Sequence, residues 1–187
     1  MTNGRFILGS LTTVPVSERP DLVAPVVLEA LRAAGMTDSA GVVPVDPALS
    51  DTAATQDAYG LDQGMLANCV VVSGRRDGSE REAACVVLAT HRLDVNGVVR
   101  QRLDVRKASF MAREDAVGRT GMEYGAITPV GMPAGWPVLV DEAVTLAGPV
   151  VLGSGIRASK LVIEGADLLR LPGAELISSL GRPIPVE

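Results

Sequence analysis

Only one histidine, His91, and two cysteines, Cys69 and Cys85, occur among the 187 residues, and that scarcity narrows the chemistry open to the chain. Without a C-x-x-C or H-x-x-x-H spacing, a structural zinc or a zinc-activated water has no ligand set, so neither metal nor cofactor is expected. A Ser-His-Asp triad would have to use His91, which precedes Arg92-Leu93-Asp94 in an expected turn and reads as a solvated loop histidine. Both cysteines sit in valine-rich runs that read as strands and are expected to be buried, reduced thiols. Aromatics are equally sparse, with two Phe, two Tyr and one Trp, which leaves few platforms for stacking bases and disfavours an autonomous single-strand binder.

Long apolar runs are also missing: no stretch reaches the ~18 residues of a membrane span. The opening Met1-Thr2-Asn3-Gly4-Arg5, then Phe6-Ile7-Leu8, is too short and too quickly polar for a signal peptide, so a cytoplasmic location is expected. Runs of like charge are absent, and the net charge of −5 argues against a broad basic face. Charge is unevenly spread, however. Ten of the 17 Lys and Arg lie between Arg75 and Arg119 with seven acids, so this segment is +3 and the remainder −8. Such an edge reads either as solvated charges of mixed sign or as a local phosphate contact.

What is present is an apolar fraction of 47% with 21% charged residues, the balance of a globular chain whose length suits a single domain over 1–187. Residues 5–15 read as an edge strand. Leu22, Val23, Val26, Val27, Leu31 and Ala34 keep near 3.6-residue spacing, which predicts a helix from Asp21 to Ala34 stopped by Gly35. A short strand is expected over 41–45, a helix from Ser50-Asp51-Thr52 to Tyr59, and a turn over 62–66. Strands over 70–72 and 83–89 follow, joined by a polar segment over 74–79. A short helix over 113–117 precedes strands over 138–140, 150–152 and 161–163, and residues 165–169 and 175–180 close the chain. Short strands with unevenly distributed helices indicate α+β.

The most shaped segment is Gly125-Ala126-Ile127-Thr128-Pro129-Val130-Gly131. Pro129 lacks an N–H and pushes Thr128 out of the helical region, while Gly125 and Gly131 tolerate positive φ and close approach. The amides of Ala126, Ile127 and Thr128 are then free to converge on one acceptor, such as a carbonyl or the oxyanion formed when an ester is attacked. A string of this kind also occurs as an ordinary surface turn.

Its neighbours form an ordered set: Arg119-Thr120-Gly121 before it, then Pro137-Val138-Leu139-Val140-Asp141, Val150-Val151-Leu152-Gly153-Ser154-Gly155, and Lys160-Leu161-Val162-Ile163. Upstream lie Arg102-Leu103-Asp104 with Arg106-Lys107, and Leu66-Ala67-Asn68-Cys69-Val70-Val71-Val72. Together, from about Asp51 to about Leu180, these segments resemble the YbaK and prolyl-tRNA editing-domain family. The resemblance implies a mixed, curved, barrel-like sheet with helices around it. It further implies hydrolysis of the ester of a misacylated tRNA, acting in trans or beside an aminoacyl-tRNA synthetase. Loop amides would hold the aminoacyl carbonyl, a ribose hydroxyl of the substrate would help activate water, and a strand lysine would assist by charge.

Carried onto this chain, Gly125, Ala126, Ile127 and Thr128 would bind the reacting carbonyl. Tyr124, Pro129, Gly131, Asp141, Gly153, Ser154 and Gly155 would shape the substrate site. Several have a second reading: Asp141 as a helix cap for 142–146, Gly153 and Gly155 as a tight turn, Tyr124 as packing. Where relatives place the lysine, this chain has Asn68, which donates a hydrogen bond without charge, so hydrolysis is expected to be weak. Neither Lys107 nor Lys160 occupies the expected place. The segment after Asp104 is also short, as though the following helix were largely lost. Two alternatives stay open: a binding module that keeps the pocket without the chemistry, recognising an amino acid, an aminoacyl-nucleotide or a protein, and an unrelated small-molecule hydrolase on the same fold.

Overall fold

A computed structural model describes residues 3–185; the expected unit of 1–187 extends two residues beyond this at each end. Strands β1 (Ile7–Leu8) and β2 (Leu11–Thr12) form a small hairpin, followed by β3 (Val14–Pro15). The single edge strand expected over 5–15 is therefore broken. Gly9 turns the chain at φ +55, and the Thr13 hydroxyl bonds the Phe6 amide and the Gly4 carbonyl. Helix α1 spans Pro25–Ala33, later than the expected start at Asp21, because Pro20–Leu22 forms a separate 3-10 turn and Ala24 is extended before Pro25 at the first helical position.

Strand β4 (Gly41–Pro44) and helix α2 (Thr52–Tyr59) follow the sequence reading, and Gly60 ends α2 at φ +63. The centre of the fold is the hairpin of β5 (Ala67–Arg76) and β6 (Ser79–Leu88). Both strands run further than the segments expected over 70–72 and 83–89. Their connection is only Asp77-Gly78, with φ of 52 and 82, the two consecutive positive values of a type I′ turn that matches the twist of the strands. An added Cβ at Gly78 meets nothing within 4 Å. Gly78→Ala should therefore cost about 1 kcal/mol through backbone conformation alone, checked by denaturant unfolding.

Next come β7 (His91–Leu93), an irregular turn over Val95–Val99, α3 (Arg100–Arg102), β8 (Ala108–Phe110) and α4 (Arg113–Thr120). His91 is thus in a strand, not a turn. The chain closes with β9 (Val138–Asp141), α5 (Glu142–Leu146), β10 (Pro149–Gly153), β11 (Ser159–Glu164), a 3-10 segment Gly165–Arg170, β12 (Ala174–Ile177) and β13 (Gly181–Pro183).

The architecture is α+β with mixed sheets. One sheet runs β12-β9-β6-β5-β8, with β9 parallel to both β12 and β6 and the remaining pairs antiparallel. A second, antiparallel sheet runs β10-β11-β4-β3, and a parallel bridge from Leu66 to Val151 joins the two. Among the described residues no closed barrel forms.

Side-chain alternation along β6 sets the core. Ala84, Val86 and Leu88 face a cluster with Leu31, Val140, Leu152 and Ile163, while Ala83, Cys85 and Val87 face another with Val72, Leu139 and Leu180. Being covered on both faces, the second part of β6, from Ala83 to Leu88, reads as a continuous apolar run. The register pairs Cys69 with Val86 and Val70 with Cys85, which sends the two sulfurs to opposite faces of the sheet. Both cysteines are free. No helix among the described residues is long and apolar enough to cross a membrane.

Candidate functional site

Where the two sheets meet they leave a cavity of about 540 Å³. One wall is the start of β5, including Asn68, Cys69 and Val71; the facing wall is Val151, Leu152 and Gly153 of β10, with Lys160 of β11 beside them. Asp51 and Thr52 at the head of α2 close one end. Phe110, Met111, Arg113 and Ala116 form the rim on the β8 and α4 side, and Tyr124, Gly125 and Ile127 bring in the glycine loop.

The loop is docked by main chain. Gly155 donates its N–H to the Ala126 carbonyl at 2.8 Å, and Gly153 lies so close that an added Cβ would fall 2.3 Å from that same oxygen. Not all three expected amides are available. Ala126 donates to the Glu123 carbonyl at 3.0 Å to close a turn, and Thr128 N–H meets the Met122 sulfur at 3.4 Å. Among the described residues no acceptor is found for the amides of Gly125 and Ile127, and both residues line the cavity.

The expected site residues therefore divide. Asn68, Tyr124, Gly125, Ile127 and Gly153 line the cavity; Ala126, Thr128, Pro129, Gly131, Asp141, Ser154 and Gly155 do not. Each of the second group has a structural task or a buried setting. Ala126 and Thr128 are buried, the Thr128 hydroxyl without a partner. Pro129 shapes the bend, and Gly131, at φ +84, lies against the Val26 carbonyl. Asp141 accepts from Ala143 N–H as the α5 cap and from Gly181 N–H, so it is spent on the fold. The Ser154 hydroxyl joins Ser159 and the Ile156 carbonyl, and Gly155 faces Ala24, Val27 and Met122.

Three residues in or beside the site were not among those expected to form it. Arg157 bonds the Tyr124 carbonyl at 3.3 Å, the Pro47 carbonyl at 2.9 Å and Asp51 at 3.4 Å, and so ties the glycine loop to the segment before α2. Phe110 is a rim aromatic, 64% exposed, and Tyr124, which lines the same cavity, has its ring 4.4 Å beneath the Arg113 guanidinium. Lys160 is 7% exposed and donates from Nζ to the Ser50 carbonyl at 2.5 Å. A lysine inside an apolar strand was the available signal, since lysine is rarely buried without purpose.

Electrostatics separates these groups. Burial pushes the Cys69 thiol well above its ordinary range, with Cys85 adding to the effect, so a thiolate nucleophile is disfavoured. Cys69 itself is half-buried against the cavity, a partial correction to the expected buried thiol. Desolvation lowers the Lys160 amine to about 8. Thr52 donates to Asn68 Oδ1 at 2.7 Å, leaving the carboxamide NH₂ as that residue's donor. Much of the basic edge is neutralised locally: Arg119 pairs with Glu80 and Glu82, Arg76 and Arg81 with Asp104, and Arg102 with Glu175. His91 lies away from the cavity and contacts the Thr90 hydroxyl.

The family model for the aminoacyl-tRNA editing domain matches residues 46–171, which include every residue that lines the cavity. The chain belongs to this aminoacyl-tRNA editing-domain family. No curated protein sequence matches it. Among solved structures, a protein described as a candidate trans-editing enzyme for prolyl tRNA synthetase is 21% identical with a TM-score of 0.69, over 83% of this chain and 97% of that one. The hypothetical protein APE2540 is 19% identical with a TM-score of 0.72, over 84% of this chain and 99% of its own. At these identities the likeness is one of fold, and the two chains are similar to this editing domain over nearly their whole lengths.

Proposed function

We propose that this editing-domain protein hydrolyses, in trans, the ester that joins a wrong amino acid to the terminal adenosine of a tRNA, with a synthetase as a potential companion. The observation that carries the reading is that Gly125 and Ile127, whose amides find no acceptor among the described residues, line one cavity with Asn68 and Lys160. Amides fixed by a docked loop stabilise charge on an acyl oxygen without reorganising. Tyr124, with Phe110 at the rim, offers the flat surface a terminal base would use. No side-chain nucleophile is needed on this route, in keeping with the raised Cys69 thiol.

A deacylation assay over a panel of misacylated tRNAs tests it: at least one ester should be cleaved well above the buffer rate, and cleavage of none overturns the enzyme reading. The uncharged Asn68 favours the second reading, a binding module without chemistry, and the same assay separates the two. Gly125→Val tests the loop. At φ +84 a branched residue is strained, and its Cβ would stand 2.4 Å from Arg157 Nη1, the mobile end of a side chain. Substrate binding should be abolished while folding is largely kept; unchanged binding would remove the loop from the site.

A further inference from the structure

Lys107 and Lys160 are the only lysines in the chain, and Lys160 alone lines the cavity. An ammonium has three N–H donors and is costly to bury unless they are met. The described contacts give Lys160 one acceptor, the Ser50 carbonyl, and no carboxylate lies within ion-pair reach of it among the described residues. Two donors are left for whatever fills the cavity. Beside this contact the buried Ser50 hydroxyl also lacks a partner. A cavity-lining ammonium with donors to spare, held by a residue whose own buried hydroxyl is unmet, marks a place built for an electron-rich ligand atom.

The position is defined by strand register. Lys160 pairs with Gly153, and Gly153 is the residue against which the Ala126 and Ile127 carbonyls pack. The amine therefore stands one strand away from the docked loop that carries the free Gly125 and Ile127 amides. Asn68 lies on β5, on another wall of the same cavity, and is neutral.

We propose that Lys160 is a catalytic residue of this cavity: its ammonium donates to the carbonyl oxygen of the bound aminoacyl ester and holds the negative charge that builds there as water adds. The role rests on the ester-hydrolysis reading above. Water oxygen bonds to the acyl carbon, the carbonyl pair moves onto oxygen, and collapse breaks the bond to the ribose oxygen. The ribose oxygen leaves with one proton of the attacking water, the other is released to solvent, and Lys160 is protonated before and after. A charged donor is about twice as strong as a neutral one, so β11 supplies what a carboxamide on β5 cannot.

The groups that act on the amine are Asp51, which favours its protonation, and Arg157, which opposes it; desolvation outweighs both and leaves it titrating at about 8. Arg113, Cys69 and Tyr124 also line the cavity. Single-turnover deacylation should therefore be measured against pH for the native protein, Lys160→Gln and Lys160→Arg, with buffer rates subtracted.

Lys160→Gln should lower the rate about 10²- to 10³-fold with little change in KM, and Lys160→Arg should retain more activity than Lys160→Gln. The native rate should decline as pH rises through about 8, a decline missing from the glutamine variant. A glutamine variant within about threefold of native, with the native pH profile, overturns this role alone, whereas a native protein that cleaves no ester overturns the functional reading with it. Should Lys160→Gln fail to fold, the native profile decides, and a rate that does not decline between about pH 7 and about pH 9.5 overturns the assignment.

Discussion

Gly153→Ala is expected to destabilise the protein by about 3 kcal/mol and to lower Tm by about 10 °C, although it adds a single methyl group. The added Cβ would lie 2.3 Å from the Ala126 oxygen, 2.6 Å from its carbon and 2.8 Å from the Ile127 oxygen. All three are backbone atoms, so no side chain can swing aside. Either β10 or the glycine loop must move, and moving the loop breaks the Gly155 N–H bond to Ala126 and displaces the Gly125 and Ile127 amides. Ligand binding should be lost along with stability. Gly118→Ala is the control: Gly118 lies within α4 with nothing within 4 Å of an added Cβ, and its replacement should be neutral or stabilising by about 0.5 kcal/mol. Equal stability of the two variants, by calorimetry, would dismiss the docking role of Gly153.

Lys160→Met is expected to act oppositely, raising stability by about 1–2 kcal/mol near neutral pH. Burial lowers the amine from 10.5 to about 8, a folded-state penalty of at most about 3 kcal/mol wherever folded and unfolded chains are both protonated. Against that stands about 1 kcal/mol for the lost bond to the Ser50 carbonyl. Below about pH 8 the penalty is fully present. Between about pH 8 and 10.5 the unfolded chain holds a proton that the folded chain has released, so native stability gains on the variant as pH rises. Cys69 and Cys85, both raised by burial, pull the other way in each protein, and the difference between native and variant curves removes them. A pH-independent difference between the two denaturation midpoints would show that the amine is not desolvated. A residue that costs stability where it stands is typical of a functional group.

Much of the fold was legible in residues with strong local chemistry. Gly60 stops α2 in the left-handed region as its position implied, and the valine-rich runs became paired strands because β-branched residues suit a pleated, buried surface, whereas α4 runs past the expected 117 to Thr120 before Gly121 stops it. The β5–β6 connection was legible too, in Asp77-Gly78, but the surrounding arginines made it read as a longer loop. Proline at 25 explains the late start of α1, which apolar spacing alone could not signal.

The site was half legible. Gly125 and Ile127 reach the cavity as the glycine string implied, yet the commitment of the Ala126 amide depends on a turn to Glu123 that no spacing rule encodes. Asp141 belongs to its cap. Lys160 and Arg157 stayed hidden because what places them is the pairing of β10 with β11 and the reach of a guanidinium to Pro47, over a hundred residues earlier in the chain.

The arrangement of the two cysteines on either side of β5 and β6 bears on oxidative conditions. A disulfide needs side-chain vectors that converge, and here a layer of paired main chain stands between the sulfurs. An oxidant could join them only after the central ladder had come apart, so the thiol poise of the surroundings has no internal staple to set or release.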